Sequence, residues 1–210
     1  VREVFNVELP LRALFEQPTL AGLAREIDLA NANPALQRIQ AAPRDADLPL
    51  SFSQQRLWFI DQLMPGNGTY TIAGAVRIRG PMDVAAWERA LNAVVARHEA
   101  LRTRFVVRDG NPTQVIDAEQ RLELPLIDLS ADGAQEATLA DAILKGAQAP
   151  LSLSEGPLIR GTLYRLGEGH HVLFLAMHHI VSDGWSMGVL IRELALLCQA
   201  YSGGAVVELE

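Results

Sequence analysis

Apolar residues recur along this chain with two periods, and the switches between them outline its elements. In "PTLAGLAREI", Leu20, Leu23, Ala24 and Ile27 fall at helical spacing behind Pro18, a residue suited to a helix start. Residues 1–28 therefore read as a short helical unit, too small to close a core of its own. Residues 29–47 are rich in Ala, Asn, Asp and Pro without a sustained stripe, which reads as a linker. From Leu48 the two periods alternate. "SFSQQRLWFIDQL" is distributed as a helix, and "YTIAGAVRI" sets Tyr70, Ile72, Val76 and Ile78 on one face of a strand. Asp83 then precedes a helical stripe of Trp87, Ala90, Leu91, Val94, Val95 and His98. "RFVVRDGNPTQVI" predicts a hairpin turning at Asp109 to Pro112, and "AQEATLADAILKGAQ" a helix. A second hairpin turns at Gly167 to Gly169. The last helix, "GWSMGVLIRELALLCQAY", is apolar on most sides and is expected to be buried. Helices alternating with antiparallel hairpins predict an α/β sandwich over residues 48–210.

Composition refines this only at the margins. Hydrophobic residues make up 49% of the 210, ample for a core. A net charge of −7 argues against a nucleic-acid or anionic-membrane surface. The single cysteine, Cys198, excludes an intrachain disulfide framework and lies in the apolar "LALLCQAY", where a buried thiol is expected. No apolar run approaches the roughly 18 residues of a membrane span, and no signal peptide opens the chain, so a cytoplasmic protein is expected. Val1 at the start and Leu209-Glu210 at the end read as the limits of an excised segment.

Candidate chemistry concentrates in "MHHIVSDGWS", residues 177–186. Neighbouring residues at a strand end point to opposite faces, so His178 and His179 are poorly placed to chelate one ion, and no metal site is expected. Asp183-Gly184 closes a turn and opens a helix, presenting backbone N–H groups where negative charge is favoured. A histidine facing outward at that mouth suits a proton acceptor near neutral pH. Two structural histidines and an Asp183 that merely caps the helix remain the alternative.

The same ten residues resemble the HHxxxDG signature of the condensation domains of nonribosomal peptide synthetases. That signature is shared with chloramphenicol-acetyltransferase-like acyltransferases and epimerization domains, though "SDGWS" disfavours the latter. Two further stretches narrow the resemblance. "LSFSQQRLWFIDQL", residues 50–63, is similar to the family's first motif, with Ser53 where Ala is usual, and "RHEALRTRF", residues 97–105, matches its second. "FNVELPLRALFEQPTLAGLAREI" resembles the last helices of a peptidyl carrier domain, lacking the segment that bears the phosphopantetheine serine. The resemblance implies the N-terminal lobe of a condensation domain with a chloramphenicol-acetyltransferase-like α/β fold. It also implies an L-configured donor and a position in an internal elongation module.

The implied reaction is amide formation between a donor acyl thioester and an acceptor aminoacyl thioester. Both ride on the 4'-phosphopantetheine arms of carrier domains, so no cofactor is bound directly. His179 would face the chemistry as base or positioner, and the Gly184 N–H would meet the reacting carbonyl. His178 would be structural, and Arg102 would fix the loop through an ion pair with Asp183. His98 is expected in the core, His170 and His171 without function, and Trp58 and Trp185 packed. The implied partners are upstream donor and downstream acceptor carrier domains, the second lobe and an adenylation domain. Without that second lobe, activity of this segment alone is not expected. Two rivals stand beside this reading: an acyltransferase acting on a soluble acceptor, and a non-catalytic platform that docks carriers.

Overall fold

The computed structural model describes residues 5, 7, 9, 11–32, 43, 44, 46–203 and 209. The chain divides into two compact units, Val1–Pro43 and Arg44–Glu210.

Among the described residues of the first unit are the helices α1 (Leu11–Glu16) and α2 (Leu20–Ala32). Thr19 Oγ1 accepts the Gly22 N–H at 3.1 Å and so starts α2. The helix runs on to Ala32, past the expected end of the unit at residue 28. Ile27 is buried, but Leu20, placed in the same predicted stripe, is exposed, as are Phe15 and Leu29. Most of the expected linker lies outside the described residues.

The second unit is built around a four-stranded sheet ordered β2 (Thr71–Arg79), β7 (His170–His178), β6 (Ile159–Gly167), β5 (Leu126–Asp128). All neighbours are antiparallel except β5 and β6. The pattern reading missed β5, which is only three residues long and exposed. A smaller sheet orders β1 (Leu48–Pro49), β4 (Asn111–Ile116) and β3 (Thr103–Arg108). Its β3–β4 hairpin turns at Asp109 and Gly110, both with positive φ.

Strand alternation decides what each face packs against. Leu173, Leu175 and Met177 of β7 meet α4 (Val84–Arg97) and α6 (Gly184–Ser202), through Leu91, Val94, Leu190 and Leu194. Val172, Phe174 and Ala176 point the other way, towards α5 (Gln135–Gln148) and its Leu139. Gly146 allows α5 its close approach, since a Cβ there would lie 2.8 Å from the Phe174 ring. Each fully buried aliphatic side chain in these layers contributes roughly 1.5–3 kcal/mol. A third cluster, including Leu50, Phe105, Leu158 and Ile180, joins the small sheet to the end of β7.

Local signals start the helices, the Asp83 cap as expected and a Ser51 cap in addition. Ser51 and Gln54 form a reciprocal capping box on α3 (Phe52–Leu63), and Asp83 accepts the Ala86 N–H at 3.0 Å. Two expectations need correction. His98 ends α4 as its C-cap rather than extending the core stripe. The last helix buries only one side: Leu190, Leu194 and Leu197 are covered, whereas Trp185, Ile191 and Leu196 are exposed. Cys198 is buried, and burial pushes its thiol up to about 12, which leaves it unreactive.

Candidate active site

The end of β7 separates the two histidines. His178 is 3% exposed, and its Nδ1 accepts the Ile180 N–H at 3.1 Å. Burial, with His179 as a lesser cause, pushes its pKa down to about 4, so the ring is neutral at cellular pH. Its carbonyl accepts the Ser182 hydroxyl at 3.1 Å and the Val181 N–H at 3.1 Å, which tightens the turn.

His179 emerges on the other face and is exposed. Its backbone N–H donates to the Tyr70 carbonyl at 2.8 Å, anchoring it to the start of β2. Its Nδ1 lies 2.7 Å from the Ser182 carbonyl oxygen. A carbonyl can only accept, so Nδ1 carries a proton, and in the neutral ring the lone pair is on Nε2. The turn thus fixes one tautomer and presents a proton acceptor to solvent.

Asp183 and Gly184 follow at once. Asp183 caps α6, its Oδ1 accepting the Ser186 N–H at 2.8 Å and hydroxyl at 2.7 Å. Those bonds, the hydroxyl's above all, hold its carboxyl below the usual range. Gly184 is the first helical residue, and a Cβ built on it would meet nothing within 4 Å. Its N–H has no acceptor among the described residues and lies at the positive end of the helix.

The expected Arg102–Asp183 ion pair does not form. Arg102 closes a 3₁₀ turn (Glu99–Arg102), where its Nη1 donates to the Asp117 carbonyl at 2.5 Å and its Nη2 lies 3.9 Å from Glu99. Asp183 is satisfied within its own turn and has no need of a distant cation. Two residues on, Arg104 holds a carboxylate in a forked pair, bonded to Asp117 at 2.8–3.1 Å. Trp58 packs against the third cluster, whereas Trp185 is 84% exposed and does not pack. His170 is exposed at the hairpin end, while His171 is buried with an unpartnered Nδ1.

Three contributors escaped the sequence reading. Ser182 and Tyr70 act through backbone carbonyls, which no side-chain pattern reveals. Glu193 is buried in α6 against His98 Nε2 at 2.6 Å and Arg97 Nε at 3.4 Å. An acid inside the Leu190, Leu194, Leu197 stripe was the available signal. Beside this cluster a cavity of about 270 Å³ opens between α4 and α6, lined by Val94, His98, Met177, Ser182, Trp185 and Val189 among others. Among the described residues no three His, Cys, Asp or Glu side chains converge on a possible metal position, and no helix is long and apolar enough to cross a membrane.

A sheet covered by helices on both faces, with a histidine and a helix start at one strand end, defines a lobe of the chloramphenicol-acetyltransferase-like α/β class. A family profile for the condensation domain matches residues 45–210, and the chain belongs to that family. It is 41% identical over 197 residues to the dimodular nonribosomal peptide synthase of Bacillus subtilis, covering 92% of this chain and 8% of that protein. It is 39% identical over 210 residues to phosphinothricin tripeptide synthetase PhsB of Streptomyces viridochromogenes, covering 97% of this chain and 18% of that one. Among solved structures, the starter condensation domain of rhizomide synthetase RzmA superposes with a TM-score of 0.73 at 27% identity, covering 79% of this chain and 40% of that chain. The first condensation domain of the CDA synthetase gives 0.72 at 29%, covering 79% and 43%. The chain therefore spans less than half of the condensation domains it superposes on.

Proposed function

We propose that this chain supplies the histidine-bearing wall of a site that joins two carrier-bound acyl groups by an amide bond. The observation that carries the reading is the exposed His179, its Nδ1 held by the Ser182 carbonyl, close in the chain to the Gly184 N–H that opens α6. A thioester is already electrophilic, so the protein's work is alignment and charge handling. An α-amine of pKa about 8 is partly neutral at cellular pH and becomes strongly acidic only once bonded to the carbonyl. The amine nitrogen attacks the thioester carbon, its proton passes to His179 Nε2, and the Gly184 N–H receives the developing oxyanion. Collapse expels the carrier thiolate, which takes the proton back from His179. Asp183 and Ser182 position this pair, and His178 holds the strand end from within.

The partners on this reading are donor and acceptor carrier domains, whose phosphopantetheine arms bring the substrates. A second lobe faces His179, and an adenylation domain loads the acceptor. Alignment of two tethered reactants is worth about 7 kcal/mol or more, which one wall does not provide. Loaded donor and acceptor carriers, followed by intact-protein mass spectrometry, test the proposal. This 210-residue chain is expected to give no dipeptidyl carrier. The longer polypeptide containing it is expected to give product that His179→Ala lowers by about 10²–10⁴-fold. Undiminished product in that variant overturns the assignment.

A further inference from the structure

The loop that leads into β2 carries a reactive pair unrelated to the histidines. Asn67 is the only asparagine in the chain followed by glycine, and it is exposed in an irregular stretch before Thr71. Its Oδ1 accepts the Thr69 N–H at 2.8 Å and the Thr69 hydroxyl as well. The Gly68 N–H has no acceptor among the described residues, and Gly68 has no side chain to shield it. An electrophilic carbonyl with two donors on its oxygen thus sits next to an unengaged nucleophilic amide.

We propose that Asn67 is a built-in deamidation site of the folded protein. The Gly68 backbone nitrogen, on losing its proton, attacks Asn67 Cγ and forms a five-membered imide. The bond from Cγ to Nδ2 breaks, and Nδ2 leaves as ammonia with the proton that Gly68 lost. The two Thr69 donors stabilise the oxyanion that develops on Oδ1. Water then opens the imide at either carbonyl, giving aspartate or, with the main chain rerouted through Cγ, isoaspartate. Both products add a negative charge, and the second lengthens the backbone.

That lengthening falls where the backbone has no slack. A Cβ on Gly68 would collide with the Gln148 carbonyl oxygen, so Gly68 is already in close contact with the end of α5. Its own carbonyl accepts the Thr71 N–H at 3.0 Å, and Tyr70, one residue earlier, holds His179. An isoaspartate at 67 must displace either the Gln148 contact or the carbonyl beneath the histidine.

The test incubates the folded chain at neutral and mildly alkaline pH and maps peptides by mass. Asn67 is expected to gain roughly one dalton, faster at higher pH because Gly68 must deprotonate. Asn92, held in α4 by two bonds through its Nδ2, serves as the internal standard and is expected to persist. Thr69→Val, which removes the hydroxyl at an exposed position, is expected to slow conversion several-fold, and Asn67→Gln to abolish it on the same timescale. The His179 ring resonances are expected to shift in the converted fraction. An intact Asn67 under conditions that convert a peptide of residues 64–71 would overturn the proposal. So would a Thr69→Val rate equal to the parent's.

Discussion

Strands β2 and β7 lie side by side, nine residues each, yet they live in different environments. From His171 to His178 every residue of β7 is buried, because α4 and α6 cover one face and α5 the other. Most of β2 is exposed, and Val76, facing the same side as buried Leu173, keeps 49% of its surface. Nearby elements share this openness: Phe52, Phe59 and Leu63 lie on one exposed side of α3, and Trp185 stands out from α6. Apolar content is therefore a poor guide to cover in this lobe. His179 sits where the two regimes meet, anchored by β7 and by the Tyr70 carbonyl but facing the uncovered side. The fold is stabilised on one side of that boundary, and the proposed site lies on the other.

The largest expected effect breaks the comparison at its buried end. Phe174→Ala removes a 1%-exposed ring wedged against Gly146 and is expected to cost about 3–5 kcal/mol in denaturant unfolding. Val76→Ala, one position along on the neighbouring strand, is expected to cost about 0.5 kcal/mol or less. Equal losses would show that β2 is covered after all.

Proton uptake sharpens the same contrast between the adjacent histidines. Burial lowers His178 from 6.5 to about 4, so the folded state favours its neutral ring. Its contribution is complete above pH 6.5 and is lost as pH falls towards 4, where the unfolded chain binds a proton that the fold refuses. The total is about 3 kcal/mol. His178→Asn keeps an acceptor for the Ile180 N–H but does not titrate. Stability curves of parent and variant are expected to converge between pH 6.5 and 4 by that amount. Parallel curves across the window would remove His178 as the cause.

Much of this arrangement was legible before any coordinates. The motif at residues 177–186 pointed to the family; strand alternation set the two histidines on opposite faces, and the resemblance said which of them is structural. The periods located both hairpins and the capped helices, because those signals are local in the chain. What stayed hidden depends on tertiary placement. The Ser182 and Tyr70 carbonyls that orient His179 leave no trace in side-chain chemistry. The outer side of α6, with Trp185, Ile191 and Leu196, was expected to be core, although nothing among the described residues of this unit covers it. Arg102 was assigned to Asp183 because both flank motifs that the family shares. The forked arginine–carboxylate pair belongs instead to Arg104, an outward position on β3 that alternation could have suggested.

The smallest effect is the most discriminating for that last correction. Asp183→Ala removes the cap of α6 and is expected to cost about 1 kcal/mol, whereas Asp183→Asn retains an acceptor and is expected to cost less. Arg102→Ala deprives the Asp117 carbonyl of a donor, again about 1 kcal/mol, and does so in a separate network. The two changes share no partner, since every bond made by the Asp183 side chain stays within its own turn. Their free energies should therefore add to within about 0.3–0.5 kcal/mol in a double-mutant cycle. A coupling above about 1 kcal/mol is what a real Arg102–Asp183 pair would produce. Near-zero coupling means the turn from His178 to Ser186 orients its histidine by its own hydrogen bonds, with only Tyr70 lent from the start of β2.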